Sequence, residues 1–477
     1  MSNLNNNESL IVVSNRVPYN IVKTRKGIRY KKSVGGLVTA LDPILSTRGG
    51  LWIGWNGMVG RTRQVEKKVK VKEGKNETGY ELKFINLTKQ DVKNYYHGFS
   101  NRTLWPLFHG FIFQTYFDIE YWKSYQRVNK KFADEVLEDV KGNEFIWVQD
   151  YHLTLLPKLL RDKNPNLKLL YFLHTPFPCH EIFRLLPWGR QILEGLLGCD
   201  LVGFQTRRDA QNFLYSCKEI IKSEVDFNSG SVRFDSREVS VKSFPISIDY
   251  NRFRYIAQRK ETDKFCNKIR KANENTRLII SVERLDYTKG IKERLFSIER
   301  FFEKYPVYRK KVIFIQISVP SRTKIKEYIE FKREIDELVG RINGRFAEEM
   351  WSPINYIYQV VPQPKLIAFY KASDICMVTP LRDGMNLIAK EYVSSKPNGN
   401  GILILSNFTG SADEMKQHSL VVNPYDIEEV ADSIDKALSM PLEEKKKKIF
   451  ALQKVVRKND VFNWSSNFLD YYLKAAS

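Results

Sequence analysis

Between Asp374 and Glu391 the chain reads Asp-Ile-Cys-Met-Val-Thr-Pro-Leu-Arg-Asp-Gly-Met-Asn-Leu-Ile-Ala-Lys-Glu. The run from Asp374 to Pro380 is short, mostly apolar and bounded by polar residues, which predicts a buried strand. Leu387 to Val393 reads as a helix. The turn between them, Arg382 to Asn386, has Gly384 to allow a positive φ and Asn386 to cap the helix. Buried strand, tight turn and helix in that order belong to an α/β sheet, and such sheets bind ligands at the carboxyl ends of their strands. Asp383 on the turn and Glu391 on the helix form a carboxylate pair suited to hydroxyl-rich ligands. An ordinary β–turn–helix connection with a capping Asp would look the same in isolation.

With 477 residues the chain has room for two or three domains, and 43% hydrophobic with 28% charged residues is a globular composition. Cys179, Cys199, Cys217, Cys266 and Cys376 are odd in number, scattered and free of Cys-x-x-Cys spacing. That favours a reducing compartment and argues against a zinc site. No apolar run has the length of a membrane span, and Leu10 to Val13 is too short for a signal-peptide core. The expectation is a cytoplasmic protein without a membrane partner. The formal net charge of +22 admits a nucleic-acid partner, or lysine-rich solvated faces around an anion site. The basic residues are dispersed, and no zinc finger, RNP motif or basic zipper appears, so the second explanation is preferred.

Taken from the start, Leu10–Ser14 predicts a strand with Arg16 at its end, placed for a bidentate contact to phosphate or carboxylate. Ser33-Val-Gly-Gly-Leu37 precedes an apolar helix pattern, and its glycines permit close backbone approach to a ligand. Trp55, in Leu51–Gly57, either packs a sugar face or belongs to the core. Lys67–Val71 and Tyr80–Ile85 alternate like a β-ribbon joined by the turn Glu73–Thr78. Tyr96 and Trp105 offer a phenol donor and a flat apolar wall, although core packing explains either aromatic alone. Further strands are expected at 144–148, 168–173, 200–205 and 239–245, the first ending at Asp150 and the second at His174. Alternation of strands and helices predicts a parallel sheet covered on both faces. A boundary falls near Pro245.

The second half begins its sheet at Arg277–Val282. Glu283-Arg-Leu-Asp-Tyr-Thr-Lys-Gly290 follows, with Arg284 and Lys289 at a turn entering a helix, a pattern for holding a diphosphate. Strands are also expected at 312–319, 354–359, 401–406 and 419–422, with Arg322 just after the first and placed to lean toward the first domain. No Asp-x-Asp occurs, which weakens a metal-chelated diphosphate mechanism. Cations at Arg16, Arg284, Lys289 and Arg322 imply at least two phosphate-bearing ligands.

Ser14-Asn-Arg-Val-Pro18, Gly35-Gly-Leu37, the Tyr96…Gly-Phe-Ser-Asn…Leu-Trp-Pro-Leu-Phe-His109 segment, Glu283–Gly290 and Asp383-Gly-Met-Asn-Leu387 with Glu391 occur in order. Together they resemble the trehalose-6-phosphate synthases, retaining glycosyltransferases of family 20, over nearly the whole chain. The resemblance implies an α/β GT-B fold, two facing Rossmann-like domains with the active site in the cleft between them. The domains would be 1–245 for the acceptor and 246–460 for the nucleotide sugar, with a helix at 461–477 crossing back to the first. It implies transfer of glucose from UDP-glucose to glucose 6-phosphate, the first step of trehalose biosynthesis, without metal or other cofactor. On the donor it places Gly36, His174, Arg284, Lys289, Asp383, Gly384, Met385, Asn386, Leu387 and Glu391. On the acceptor it places Arg16, Trp55, Tyr96, Trp105, Asp150 and Arg322. His174, Asp150, Arg284, Lys289 and Asp383 would be catalytic. A homo-oligomer and a complex with a trehalose-phosphate phosphatase are the protein assemblies it admits.

Three alternatives stand beside this reading. They are a related glycosyltransferase with another acceptor, a non-catalytic scaffold of a trehalose-synthesis complex, and a nucleic-acid-binding protein. The sequence does not choose between UDP-glucose and GDP-glucose.

Overall fold

The structure is a computed structural model that describes residues 9–24, 27–32, 35–60, 66–71 and 79–476, with backbone alone for 22–24, 27, 28, 475 and 476. Ser33, Val34 and the expected turn Glu73–Thr78 lie outside the described residues. The chain divides into two compact units, one running to Ile246 and resuming at Val461, the other Ser247–Asp460.

In the first unit the strands are β1 (Leu10–Arg16), β2 (Tyr19–Thr24), β3 (Gly27–Lys32), β4 (Leu51–Val59), β5 (Lys68–Val71), β6 (Tyr80–Leu87), β7 (Phe145–Gln149), β8 (Lys168–Phe172), β9 (Leu201–Phe204), β10 (Glu224–Asp226), β11 (Ser231–Phe234) and β12 (Arg237–Ser243). Ten of them form one sheet in the order β10-β11-β12-β9-β8-β7-β1-β4-β6-β5, and β2 pairs with β3 in a separate hairpin. From β12 to β6 the pairings are parallel. At the edges β10 and β11 add antiparallel to β12, and β5 adds antiparallel to β6. The sheet is therefore mixed at both rims: β5 with β6 is the expected ribbon, while β10 and β11 add an antiparallel edge to the expected parallel sheet. β5 and β10 are largely exposed, so solvent can face them, as antiparallel edges permit.

The chain leaves β1 for β4 on one side and returns to β7 on the other. The loops after β1 and β7 therefore flank a topological switch point, where α/β sheets open a crevice. The helix Val461–Ala476 covers part of this sheet. Its Trp464 and Phe468 rings pack 5.2 and 4.8 Å from Trp147, and Trp464 Nε1 donates to the Phe244 carbonyl at 3.1 Å.

The second unit has six strands, β13 (Arg277–Arg284), β14 (Val312–Val319), β15 (Ile354–Ile357), β16 (Ile375–Val378), β17 (Ile402–Ser406) and β18 (Leu420–Val422). Their order is β15-β14-β13-β16-β17-β18, and every pairing is parallel. The apolar runs of β13 and β16 are buried, as a sheet covered on both faces requires. Here the switch point lies between β13 and β16, which brings together the loops ending those two strands. No helix among the described residues is long and apolar enough to cross a membrane.

Candidate active site

At the switch point of the second unit, the Asp286 side chain caps the turn Tyr287–Lys289, and Gly290 then takes a left-handed φ of 63° to start the helix Ile291–Lys304. A Cβ on Gly290 would stand 2.3 Å from the Thr379 carbonyl, so the two loops meet at a place only glycine fits. Lys289 projects from this turn, and its Nζ lies 2.6 Å from Asp383 Oδ2. Asn386 Nδ2 donates to the same oxygen at 3.0 Å while Asn386 Oδ1 accepts from Ile388 N–H at 3.2 Å. Asn386 thus caps the helix Leu387–Ser394 as expected. It also carries the turn's left-handed backbone at φ 69°, where the sequence had pointed to Gly384. Its side-chain bonds to both flanks make that conformation tolerable for Asn. The Thr409 hydroxyl and Ser411 N–H both donate to the Met385 carbonyl, at 2.6 and 2.9 Å, so the turn is held from behind.

Arg322, expected to lean toward the first domain, turns its guanidinium onto Asp286 of its own unit, with Nη1 2.6 Å from Oδ2. A buried carboxylate draws it there. Burial raises the Asp286 pKa, but Arg322, Arg284 and Lys289 outweigh it and hold the carboxyl well below the usual range. Beneath the loop, buried Arg294 donates to Glu283, Thr379 and the Lys289 carbonyl at 2.5, 2.8 and 3.0 Å. Leu387 is half-buried at the start of its helix. Glu391 is buried one turn further on and accepts from the Tyr370 hydroxyl at 3.1 Å. Burial pushes its carboxyl up to about 7, against the pull of the Tyr370 bond. A buried acid with so shifted a pKa, on the helix that follows a switch-point turn, is a candidate ligand contact.

The first unit gathers a second set. Arg16 ends β1, lies 4.7 Å over the Trp55 ring and donates to Asn20 Oδ1 at 2.7 Å. Burial lowers its pKa, and neighbouring Tyr96 opposes that shift. Gly57, at φ 85°, seats the guanidinium, since a Cβ there would be 2.2 Å from Arg16 Nη2. Tyr96 stands edge-on to Trp55 at 5.6 Å. It comes from Val92–Leu104, which winds as a π-helix after a Thr88/Asp91 capping box. Asn101 of that helix donates to the Tyr96 carbonyl at 2.6 Å and accepts from the Tyr151 hydroxyl at 3.0 Å, tying it to the loop after β7.

That loop carries Asp150 at a left-handed φ of 72°. Asp150 Oδ1 accepts from His174 N–H at 3.3 Å. Gln149 Nε2 donates to the Trp147 carbonyl, leaving Oε1 to meet His174 Nε2 at 2.8 Å. The imidazole thus carries its proton on Nε2 and keeps Nδ1 as an acceptor. Its ring retains some exposure, yet Phe172 at 4.8 Å and Trp464 at 6.5 Å press on it, and desolvation lowers its pKa to about 3. Trp55 and Trp105 are only 3% and 5% exposed, so each reaches a ligand through an edge at most. Gly36 opens the helix Gly36–Arg48, exposed and without a side-chain cap.

The sequence profile of Glycosyltransferase family 20 matches residues 8–474. The chain belongs to glycosyltransferase family 20. Among relatives of this family-20 chain, the UDP-forming α,α-trehalose-phosphate synthase A of Dictyostelium discoideum is 41% identical over 98% of the chain. A bifunctional trehalose-6-phosphate synthase/phosphatase of Thermoproteus tenax is 39% identical over 98%. A trehalose-6-phosphate synthase of Mycolicibacterium vanbaalenii is 40% identical over 96%. The chain spans 63% and 64% of the first two proteins and 95% of the third.

A Burkholderia xenovorans α,α-trehalose-phosphate synthase (UDP-forming) solved in complex with glucose-6-phosphate superposes with a TM-score of 0.89 at 34% identity. It covers 98% of this chain and 100% of that one. A structure described as trehalose-6-phosphate from E. coli bound with UDP-2-fluoro glucose gives 0.89 at 35% identity, covering 98% and 99%. The family-20 fold of the chain is the GT-B glycosyltransferase fold.

In the first unit, sequence reasoning passed over Asn20, Gly57, Gln149 and Trp464, and in the second Asp286 and Arg294. Asp286 and Gly57 lie inside the quoted motifs and had signalled only by position. Gln149, Arg294 and Trp464 act through partners distant in sequence, which no spacing reveals, whereas Asn20 meets Arg16 only four residues away but lies outside the quoted motifs.

Proposed function

We propose that this family-20 chain transfers glucose from UDP-glucose to C1 of glucose 6-phosphate with retention, releasing α,α-trehalose 6-phosphate and UDP. The pairing of Lys289 with Asp383 at 2.6 Å at a switch point carries the reading. It sets a cation for the departing diphosphate beside a carboxylate for the hydroxyls of the sugar in transit. The names of the relatives and the ligands of the solved neighbours support the same substrates.

In this reading Arg284 and Lys289 stabilise charge on the leaving diphosphate, with backbone N–H near Gly36 assisting. Asp383, Gly384, Met385 and Asn386 hold the donor glucose, Leu387 borders the nucleotide, and Glu391 takes ribose hydroxyls. Neutral His174 accepts a bond at Nδ1 from the donor's 6-hydroxyl side and does not serve as an acid. Arg16, Tyr96 and Arg322 take the acceptor phosphate, while Asp150, Trp55 and Trp105 hold the acceptor sugar. Retention follows from same-face transfer. The bond from the anomeric carbon to the β-phosphate oxygen breaks, the C1 hydroxyl oxygen of the acceptor bonds in its place, and the leaving phosphate takes that hydroxyl's proton. The protein contributes position and field.

No metal is needed where two cations already face the diphosphate, so a chelator should leave the rate unchanged. The free thiols of Cys199, Cys217 and Cys376 are buried and suit a reducing cytoplasm. A second copy of the chain or a trehalose-phosphate phosphatase is the protein partner of this reading, which involves no nucleic acid.

The test is UDP release from UDP-glucose with and without glucose 6-phosphate. Release should require glucose 6-phosphate, fall about 10²–10³-fold in Lys289→Ala, and need far more glucose 6-phosphate in Arg322→Ala. Release with free glucose or a glucan would reassign the acceptor. No release from UDP- or GDP-glucose would favour a scaffold.

A further inference from the structure

Asp286 is fully buried, a rare position for a carboxylate unless it is paired. Its two oxygens serve two different loops. Oδ1 accepts from the Thr288 N–H at 3.1 Å and the Thr288 hydroxyl at 2.9 Å, which closes the turn that presents Lys289. Oδ2 accepts from Arg322 Nη1 at 2.6 Å and from the Tyr328 hydroxyl at 3.0 Å, and Tyr328 is also bonded to Arg322. Arg322 itself sits at a left-handed φ of 47°, a conformation a non-glycine residue keeps only where its surroundings impose it. A backbone bond from Leu285 N–H to the Val319 carbonyl at 2.8 Å holds the same two loops in register, and one from Ile325 N–H to the Arg322 carbonyl at 2.9 Å closes the turn at Arg322.

We propose that Asp286 is a positioning residue that joins the cation clamp for the nucleotide diphosphate to the cation clamp for the acceptor phosphate. One oxygen sets Lys289 and the other sets Arg322. The inference rests on the substrate reading above, and in it Asp286 touches neither substrate. Its charge also lets three cations, Arg284, Lys289 and Arg322, gather around one point before any phosphate arrives. Preset cations lose less freedom when ligand binds than cations that must first be ordered.

The two arms can be cut separately in the full-length protein. Thr288→Val removes the hydroxyl on the Oδ1 arm, Tyr328→Phe removes the hydroxyl on the Oδ2 arm, and Asp286→Asn weakens both. KM for each substrate, calorimetric affinities for UDP and for glucose 6-phosphate, and melting temperature are the readouts.

Thr288→Val should raise the UDP-glucose KM and weaken UDP while leaving glucose 6-phosphate unchanged. Tyr328→Phe should do the reverse. Asp286→Asn should raise both KM values about tenfold or more, with a smaller fall in kcat. Should Asp286→Asn fail to fold, the two hydroxyl variants decide alone. Lower melting with wild-type KM and affinities would reduce Asp286 to a structural role and overturn the proposal, as would hydroxyl variants that shift both substrates equally. Wild-type protein that binds neither UDP nor glucose 6-phosphate would overturn the substrate reading and this inference with it.

Discussion

At Glu391 the proposed function ties stability to ligand binding through one side chain. Its folded-state pKa of about 7 stands above the ordinary 4.5 because burial disfavours the anion. Below pH 4.5 both the folded and the unfolded chain hold the proton, and the group costs nothing. As pH rises the unfolded chain releases its proton first, so stability is lost progressively and the loss is complete above pH 7. There it amounts to about 3 kcal/mol. Glu391→Gln keeps the shape without the charge, so chemical denaturation should show the variant about 3 kcal/mol more stable than wild type at pH 8.5 and little different at pH 5. In the proposed function ribose hydroxyls donate to the ionised form. UDP affinity of the wild type should therefore rise relative to the variant between pH 6 and 8. Equal affinities at every pH would remove Glu391 from the nucleotide site. The sequence revealed this carboxylate through its spacing from Asp383. It did not reveal Tyr370, whose hydroxyl donates to it from another helix 21 residues away.

Elements were legible to the extent that burial wrote them into the sequence. β7, β8, β13 and β16 are short apolar runs, and the structure places them in parallel sheets. The hairpin of β2 with β3 and the strands β10 and β11 are short and largely polar, so their hydrogen bonding leaves no apolar signature. Val92–Leu104 was unreadable for a different reason. A π-helix repeats near the α-helical period, and what distinguishes it here is the i→i+5 bond from Trp105 N–H to the Ser100 carbonyl. The helix Val461–Ala476 reaches into the site through Trp464, which packs on Phe172 at 5.1 Å as well as on Trp147 and His174. Trp464→Ala should cost about 3–5 kcal/mol by calorimetric melting. By admitting water it should also raise the His174 pKa from about 3 toward its ordinary 6.5, a change visible in the imidazole NMR titration. Loss of stability with an unmoved His174 titration would separate the helix from the site.

For the molecule as a whole, the decisive quantity is the net charge of +22. Part of the basic surface is neutralised in place. Lys67 and Lys83 meet Glu135 and Glu138, Lys68 and Lys83 meet Asp139, Lys304 meets Glu428 and Asp432, and Arg341 and Arg345 meet Glu299. The excess of 77 basic over 55 acidic residues remains as a long-range positive field. Both proposed substrates are anions of low mass, so the field should raise their encounter rate without altering the chemical step. The Debye length falls from about 30 Å at 0.01 M salt to about 8 Å at 0.15 M. Over that range kcat/KM for UDP-glucose and for glucose 6-phosphate should decline while kcat stays level. A kcat that fell in parallel would mean that salt reaches the buried pairs Lys289–Asp383 and Arg322–Asp286, and the charge would then belong to catalysis. A flat kcat/KM would leave capture to those local clamps. The same titration with RNA or DNA separates the nucleic-acid alternative, because a protein that neutralises several backbone phosphates loses affinity steeply with salt, whereas this site predicts no retention to lose.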